Sequence, residues 1–302
     1  MRFNKGFKLA LITAGFSGVA VFLNSLTVKA VGDALVFTMV KNLGVALIIG
    51  LVLLRQKINW SVVKANWPVL LAIGVIGGSL PFYLFFQGLT LTNAVTGALI
   101  HKTLIFWVAL WALPFLKEKI SLKQWLALGV IFGSNLVIGG LPQLQWGKGE
   151  WMILAATILW AVENIIAKIT LKRVAVDVVV GARMILGSLI LLVAVIASGK
   201  LGLIFKLNNT QWLMTIMSIG LLTGYVMTWY QALKAAPVTL VATVLTLATI
   251  ITNILSGIFI THSLRIELIY QTILLVAGSW FFVKEAGLPA QAGKHDRTLA
   301  LR

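Results

Sequence analysis

Apolar residues occur along this chain in long runs, which are separated by short polar segments. Each run is about 20 to 24 residues long, which is the length that a helix needs to cross a bilayer. The strict alternation typical of barrel strands is absent, and the runs are about twice as long as such strands. We therefore predict an all-α polytopic membrane protein with ten transmembrane helices, at residues 8–28, 33–54, 67–89, 93–116, 121–140, 151–171, 177–198, 210–233, 237–260 and 265–284.

The two halves of the chain resemble each other when one is shifted by 144 residues. "FFQGL" (85–89) then aligns with "WYQAL" (229–233), and "VKAVGD" (28–33) aligns with "KRVAVD" (172–177). Because five helices are an odd number, the second half must enter the membrane from the opposite side. We predict two inverted five-helix repeats, at residues 1–142 and 143–284, followed by a polar tail at 285–302.

The positive charges divide unevenly between the two predicted sides of the membrane. Sixteen loop or terminal lysines and arginines fall on one side and five on the other, within a net charge of +17. The positive-inside rule therefore predicts that both termini and the tail are cytoplasmic, in a multi-pass protein of the cell membrane. No basic segment is interleaved with aromatic residues, so we expect the lipid bilayer as a partner and no nucleic acid.

The composition argues against cofactor and metal chemistry. The chain is 60% hydrophobic and has no cysteine, and its three histidines lie far apart without the spacing of metal ligands. No GxxxxGK[ST] motif is present, so ATP is not expected to act directly. We predict no cofactor, no metal and no enzymatic activity.

Four segments carry a resemblance to a known family. They are "FFQGLTLTNAVTGALI" and "FLKEKISLKQWLALGVIFGSNLVI" in the first half, and "ILWAVENIIAKI" and "WYQALKAAPVTLVATVL" in the second. The chain resembles the EamA-type transporters of the drug/metabolite transporter superfamily. Glu118 matches an acidic residue of that family, whereas His262 departs from it at the equivalent place. The resemblance implies a secondary exporter of small metabolites that works by alternating access, with protons as a candidate coupling ion.

Polar side chains form stripes along two of the predicted helices. Helix 1 carries Thr13, Ser17, Ala20, Asn24 and Thr27 on one face, and helix 9 carries Thr239, Thr243, Thr246, Thr249, Asn253 and Ser256. In lipid such stripes either join helices or line a watery path. Two long stripes together with buried charges favour a lined path.

Ionisable residues within membrane helices are candidates for function. They are Lys41, His101, Lys102, Glu163, Lys168 and Arg183. Counting residues from the cytoplasmic ends places Glu163 ~12 Å deep and Arg183 ~10 Å deep. One interpretation is therefore a structural Glu163–Arg183 ion pair. The other is a central site in which Glu163 binds an ammonium group or carries a proton and Lys102 binds a carboxylate.

We predict one set of residues that bind the substrate or couple its transport, whichever substrate class applies. It comprises Glu163, Lys102, His101, Trp160, Asn164, Ser17, Asn24, Tyr83, Gln87, Tyr225, Trp229 and Tyr230. Glu163 with Lys102 suits an amino-acid-like zwitterion or organic amine, whereas Glu163 beside Trp160 suits a hydrophobic cation, as in a drug exporter. The rival class is an intramembrane serine protease, with Ser17 of "GFSG" as nucleophile and His101 as base.

Overall fold

The structure, a computed structural model, describes residues 5–92, 94–139 and 146–286, and every regular element in these ranges is helical. Six of the longer helical segments are single α-helices: α1 (Lys5–Val31), α2 (Ala34–Leu54), α5 (Leu122–Gly139), α6 (Lys148–Thr170), α8 (Asn209–Ala235) and α10 (Ile266–Glu285). Short helices at Trp60–Ala65 and Leu201–Lys206 lie between these segments.

Four further segments are interrupted. They are α3 (Trp67–Gly78 and Leu80–Leu89), α4 (Ala94–Lys102 and Leu104–Leu116), α7 (Val176–Gly181, a π-helical turn at Ala182–Leu186, and Gly187–Ala197) and α9 (Val238–Leu245 and Ala248–Phe259). The interruptions of α4 and α9 fall at equivalent places, since Thr103 and Leu247 are 144 residues apart. Broken helices at matching positions of two repeats are typical of transporter binding sites.

Nine of the helical segments in the described ranges are long and apolar enough to cross a membrane. The remaining one, α5, has a shorter apolar stretch at Leu122–Val137. The prediction of an all-helical multi-pass membrane protein is confirmed. The tail at 285–302 lies outside the described residues except for Glu285 and Ala286.

The two repeats run in opposite directions. Gly6, near the start of α1, lies against Ala236, because a Cβ on Gly6 would come within 2.5 Å of the Ala236 Cβ. Lys168, near the end of α6, donates to the Ala236 carbonyl oxygen at 2.6 Å. The start of α1 and the end of α6 therefore lie at the same face of the bundle. Since α1 and α6 are the first helices of the two repeats, the repeats are antiparallel.

Helix packing follows the same symmetry. The α1 helix packs on α8 and α9, and its counterpart α6 packs on α3 and α4, while α5 packs on its own counterpart α10. We call the end of the bundle with Glu118 and Ala236 the Glu118 face and the opposite end the Asp33 face. Positive-inside topology predicts that the Glu118 face is cytoplasmic.

Glu118 joins the two repeats at the Glu118 face. Its carboxylate accepts hydrogen bonds from the backbone N–H groups of Val238 (2.7 Å) and Thr239 (3.2 Å) and from the Thr239 hydroxyl (2.6 Å). A carboxylate at a helix N-terminus satisfies unpaired donors and interacts favourably with the helix dipole. His262, at the equivalent place in the second repeat, has no carboxylate.

Asp33 and Lys200 form an ion pair at the opposite face. Lys200 Nζ lies 2.7 Å from Asp33 Oδ2, and Asp33 also caps α2 by accepting from the Val36 N–H at 3.0 Å. Partial burial raises the pKa of the Asp33 carboxyl, but the Lys200 and Val36 hydrogen bonds and the Lys200 charge together hold it below its usual 3.8. The link joins the start of α2 to the segment that follows α7.

Asp33→Asn is expected to remove the ion pair and keep the cap, since an asparagine oxygen caps as well as an aspartate oxygen. The pair contributes less than about 1 kcal/mol because Lys200 is 41% exposed. A carboxyl with a lowered pKa stabilises the fold above the unfolded pKa of 3.8, and the contribution disappears as the pH falls further.

The measurement is thermal unfolding of wild type, Asp33→Asn and Asp33→Ala in nanodiscs between pH 3 and pH 7. Asp33→Ala should lose about 1 kcal/mol more than Asp33→Asn at every pH, because it loses the cap. The gap between wild type and Asp33→Asn should narrow as the pH falls below 3.8, because the lowered pKa of the folded carboxyl lies in that direction. A gap that is unchanged at pH 3 would contradict the prediction.

Candidate substrate-binding site

A cavity of about 220 Å³ lies between the two repeats. Its walls come from α1, α2, α3 and α4 of the first repeat and from α6, α7, α8 and α9 of the second. The polar lining residues are Ser17, Asn24, Lys41, His101, Glu163, Asn164, Arg183 and Tyr225, and the larger apolar ones include Phe82, Trp160 and Trp229. Since a water molecule needs only about 10–15 Å³ of such volume, a small metabolite fits.

Glu163 and Arg183 lie together in the wall of this cavity. Glu163 is completely buried and Arg183 is 6% exposed, and Arg183 Nη1 lies 3.8 Å from Glu163 Oε2. The Tyr230 hydroxyl connects them, because it donates to Glu163 Oε1 and accepts from Arg183 Nη1 at 3.2 Å. Three residues from α6, α7 and α8 therefore form one buried charge network.

The interruption of α3 supplies further partners for this network. Pro81 has no N–H, so the Gly77 carbonyl, four residues earlier, has no helical donor. That carbonyl instead accepts from Arg183 Nε and from Trp160 Nε1, each at 3.3 Å. The proline in α3 thus provides a backbone acceptor that orients a cation and an indole beside Glu163.

In the described part of the chain, two buried acceptor atoms of the cavity residues receive no hydrogen bond. They are Glu163 Oε2 and Asn24 Oδ1, both buried. A buried acceptor without a donor is costly, and native proteins rarely leave one unsatisfied. These oxygens are therefore available to a ligand that brings N–H groups or a proton.

Aromatic rings surround the polar groups on two sides. The Trp160 ring packs against Phe82 and His101, with centroids 5.2 Å away in each case. On the other side Tyr225 stacks on Trp229 at 6.0 Å, and Trp229 Nε1 donates to Asn164 Oδ1 at 3.3 Å. The cavity can therefore contact a flat apolar group and a charged group at once.

The structure brings many of the predicted binding residues to this cavity. Ser17, Asn24, His101, Trp160, Glu163, Asn164, Tyr225 and Trp229 line it, as does Arg183. Tyr230 lies behind Glu163 and contacts the charge network. Lys102 is placed differently, because its ammonium donates to the Thr249 hydroxyl and its side chain lines neither described cavity.

Tyr83 and Gln87 line a second cavity of about 220 Å³ at the Asp33 face. Thr38, Asp33 and Lys200 also contribute to it. Phe82 is the residue that lines both cavities, in the part of the chain that the structure describes. Its ring therefore lies between the central cavity and the Asp33 face.

The two residues of the protease hypothesis both line the central cavity but do not form a nucleophile–base pair. His101 Nδ1 lies 3.4 Å from the Thr157 hydroxyl, and its ring packs on Phe85 and Trp160. Within the described ranges no hydrogen bond connects His101 to Ser17. A serine nucleophile requires such a contact with its base.

Two of the lining residues that the predicted binding set omitted bear on the chemistry of the cavity, Lys41 and Phe82. Lys41 is a buried ionisable residue to which the sequence assigns no partner, and Phe82 is one of many apolar residues in α3. The repeat alignment contained a signal for Lys41. The residue equivalent to the buried cation Arg183 is Met39, and Lys41 lies only two residues from it.

Comparison with known proteins agrees with the sequence resemblance. The model of the EamA-like transporter family matches twice, at residues 4–140 and 147–284. One solved crystal structure is similar with a TM-score of 0.74 over 92% of this chain and 97% of that chain, at 16% identity, which shows the fold alone. No curated protein matches the chain. The chain therefore belongs to the EamA-like transporter family, and it is a multi-pass membrane transporter of the drug/metabolite transporter superfamily.

Proposed function

We propose that this protein is a secondary exporter that moves a small metabolite across the cytoplasmic membrane by alternating access. The observation that carries the proposal is the position of the central cavity. Its walls come from both inverted repeats, and a buried charge network lies in one of them. Substrate sites of inverted-repeat transporters form at the interface of the repeats, where rocking of one repeat against the other changes access.

The donor and acceptor groups of the cavity support an amino-acid-like zwitterion or an organic amine as substrate. Glu163 Oε2 and Asn24 Oδ1 have no hydrogen-bond donor among the described residues, so each can accept from the ammonium group of a substrate. When no amine is bound, a proton on Glu163 would serve the same purpose, which makes this carboxylate the candidate for proton coupling. The second candidate is a hydrophobic cation, because the faces of Trp160 and Phe82 suit cation–π contacts.

The breaks and caps of the helices support a route for the substrate. The second cavity extends from the Asp33 face to Phe82, so movement of that ring would connect it with the central cavity. At the other face Glu118 holds the start of α9 and Lys168 holds the end of α8. We propose that release of these contacts opens the Glu118 face, with the interrupted α4 and α9 bending at their breaks.

Cysteine labelling tests alternating access without knowledge of the substrate. The chain has no cysteine of its own, so single variants can be labelled without background. Ser17→Cys probes the central cavity, Gln87→Cys probes the cavity at the Asp33 face, and Leu11→Cys, 40% exposed on α1, is the lipid-facing control. Each is treated with a membrane-impermeant thiol reagent in right-side-out and in inside-out vesicles.

Alternating access predicts that Ser17→Cys reacts in both vesicle orientations, that Gln87→Cys reacts in one, and that Leu11→Cys reacts in neither. Liposomes that contain the protein should retain a trapped dye of the same size as the reagent, because the path is never open at both ends. An unreactive Ser17→Cys would contradict the proposed route. Leakage of the dye would indicate a pore.

A further inference from the structure

Lys41 is a buried cation in the wall of the central cavity. It lies on α2, it is 2% exposed, and its side chain lines the cavity. Its ammonium lies 4.7 Å from the centroid of the Phe37 ring. Among the described residues no carboxylate lies within ion-pair distance of this ammonium, and no oxygen accepts a hydrogen bond from it.

The other buried or half-buried cations of the described membrane segments have polar partners. Arg183 donates to Tyr230 and Gly77, Lys168 donates to two backbone carbonyls, and Lys102 donates to Thr249. An unpaired ammonium in a membrane interior is costly, and a ring face compensates for only a small part of the lost hydration. Lys41 therefore differs from the other cations in that its partner is missing.

The charges of the cavity do not balance. Glu163 contributes one negative charge and Arg183 one positive charge, and these two already face each other. Lys41 adds a second positive charge, so the wall carries a net charge of +1 when all three groups are ionised. A ligand with one negative charge would neutralise it. A phosphate monoester carries nearly two charges and would need a further cation.

We propose that Lys41 binds the carboxylate of the transported molecule, which narrows the proposed substrates to those that carry a carboxylate, a zwitterion or a small organic acid, and removes the simple amine from them. The inference rests on the proposed function, because it requires that the central cavity receives the substrate. It transfers to Lys41 the role that the sequence suggested for Lys102. Trp160 and Trp229 then contact the apolar body of the same ligand.

Four probes with the same phenyl group separate the charges: 3-phenylpropionate, 2-phenylethylamine, phenylalanine and 3-phenylpropanamide. Apparent Kd values are obtained from ligand-dependent melting temperatures of the full chain in detergent, since a ligand that binds the folded state stabilises it. Wild type is expected to bind 3-phenylpropionate and phenylalanine more tightly than the two probes without a carboxylate.

Lys41→Met removes the charge with little change in shape. Its apparent Kd for 3-phenylpropionate should rise roughly 10- to 100-fold, which is the range for hydrogen bonds to charged groups. Its melting temperature without ligand should equal or exceed that of wild type, because an unpaired buried charge is lost. Lys102→Met tests the rival assignment and should keep the preference for carboxylates.

Each contrary outcome overturns the proposal. These are a wild type that binds no probe or prefers the amine, a Lys41→Met protein that keeps its affinity or fails to fold, and a Lys102→Met protein that loses the preference instead. The cysteine-labelling experiment uses no ligand, so a failure of alternating access is detected separately from a failure of the Lys41 assignment.

Discussion

Replacing Arg183 with methionine is expected to lower the free energy of unfolding by about 3–5 kcal/mol, the typical cost of removing one partner of a buried ion pair. Glu163 is completely buried and has its charged partner in Arg183 at 3.8 Å. Without Arg183 the carboxylate keeps only the Tyr230 hydroxyl among its described donors. The Gly77 carbonyl also loses one of its two donors.

The double variant Arg183→Met/Glu163→Gln is the matched control. It removes both charges, so no unpaired ion remains, and it should recover most of the lost stability. The measurement is reversible SDS-induced unfolding in mixed micelles for wild type, both single variants and the double variant. A double variant as unstable as Arg183→Met would show that Arg183 acts through packing and not through Glu163.

Gly78→Ala is expected to destabilise the bundle by about 3 kcal/mol, at the upper end of the usual cost of overpacking. A Cβ on Gly78 would lie 2.1 Å from the Arg183 carbonyl oxygen and 3.0 Å from the Gly187 Cα. Both atoms belong to the backbone of α7, so no side-chain rotation can relieve the clash. The α3 and α7 helices would have to separate, which would also displace Arg183 from the Gly77 carbonyl.

Gly133→Ala provides the comparison, because a Cβ at that position meets nothing within 4 Å. Alanine is favoured over glycine in a helix by about 0.5–1 kcal/mol, so this variant should be neutral or slightly stabilised. The same unfolding assay measures both variants. Equal stability of Gly78→Ala and Gly133→Ala would mean that the close approach of α3 and α7 does not limit packing.

The sequence predicted the depth match between Glu163 and Arg183, because rise per residue converts position along a helix into depth. The structure places the two side chains 3.8 Å apart. The sequence did not reveal the part played by Gly77. That depends on Pro81, which leaves the carbonyl without its helical donor, and on the angle at which α7 and α6 approach α3.

The polar stripes show what periodicity cannot predict, namely which structure a polar helix face contacts. The α1 stripe both joins helices and lines the cavity, since Thr13 bonds to Thr228 while Ser17 and Asn24 face the cavity. The α9 stripe mainly contacts neighbouring helices, with Thr249 against Lys102 and Asn253 bonded to Gln271 at 2.6 Å. Periodicity identifies a polar face, but only the neighbouring helices decide whether that face meets protein or water.

Lys41 and Lys102 illustrate the same limit. Both lie on the order of 12–14 Å deep by counting residues, so depth gave no ground for the sequence-based assignment of the carboxylate to Lys102 over Lys41. The structure directs Lys102 to Thr249 and Lys41 to the central cavity. The difference arises from the rotation of α2 and α4 about their own axes, which is determined by packing against helices far away in the sequence.

The sequence by itself determined that the chain lies in a lipid bilayer, that it is helical, that it contains two repeats and that it belongs to its family. Each of these depends on local composition or on the order of helices along the chain. Only helices and closed barrels satisfy the backbone in a bilayer, and the apolar runs are too long and lack the alternation of barrel strands. Only the tertiary structure decided which charges meet, which cation lacks a partner and where Phe82 separates two cavities. Those features depend on side chains from helices of both repeats, and their relative positions result from packing across the whole bundle.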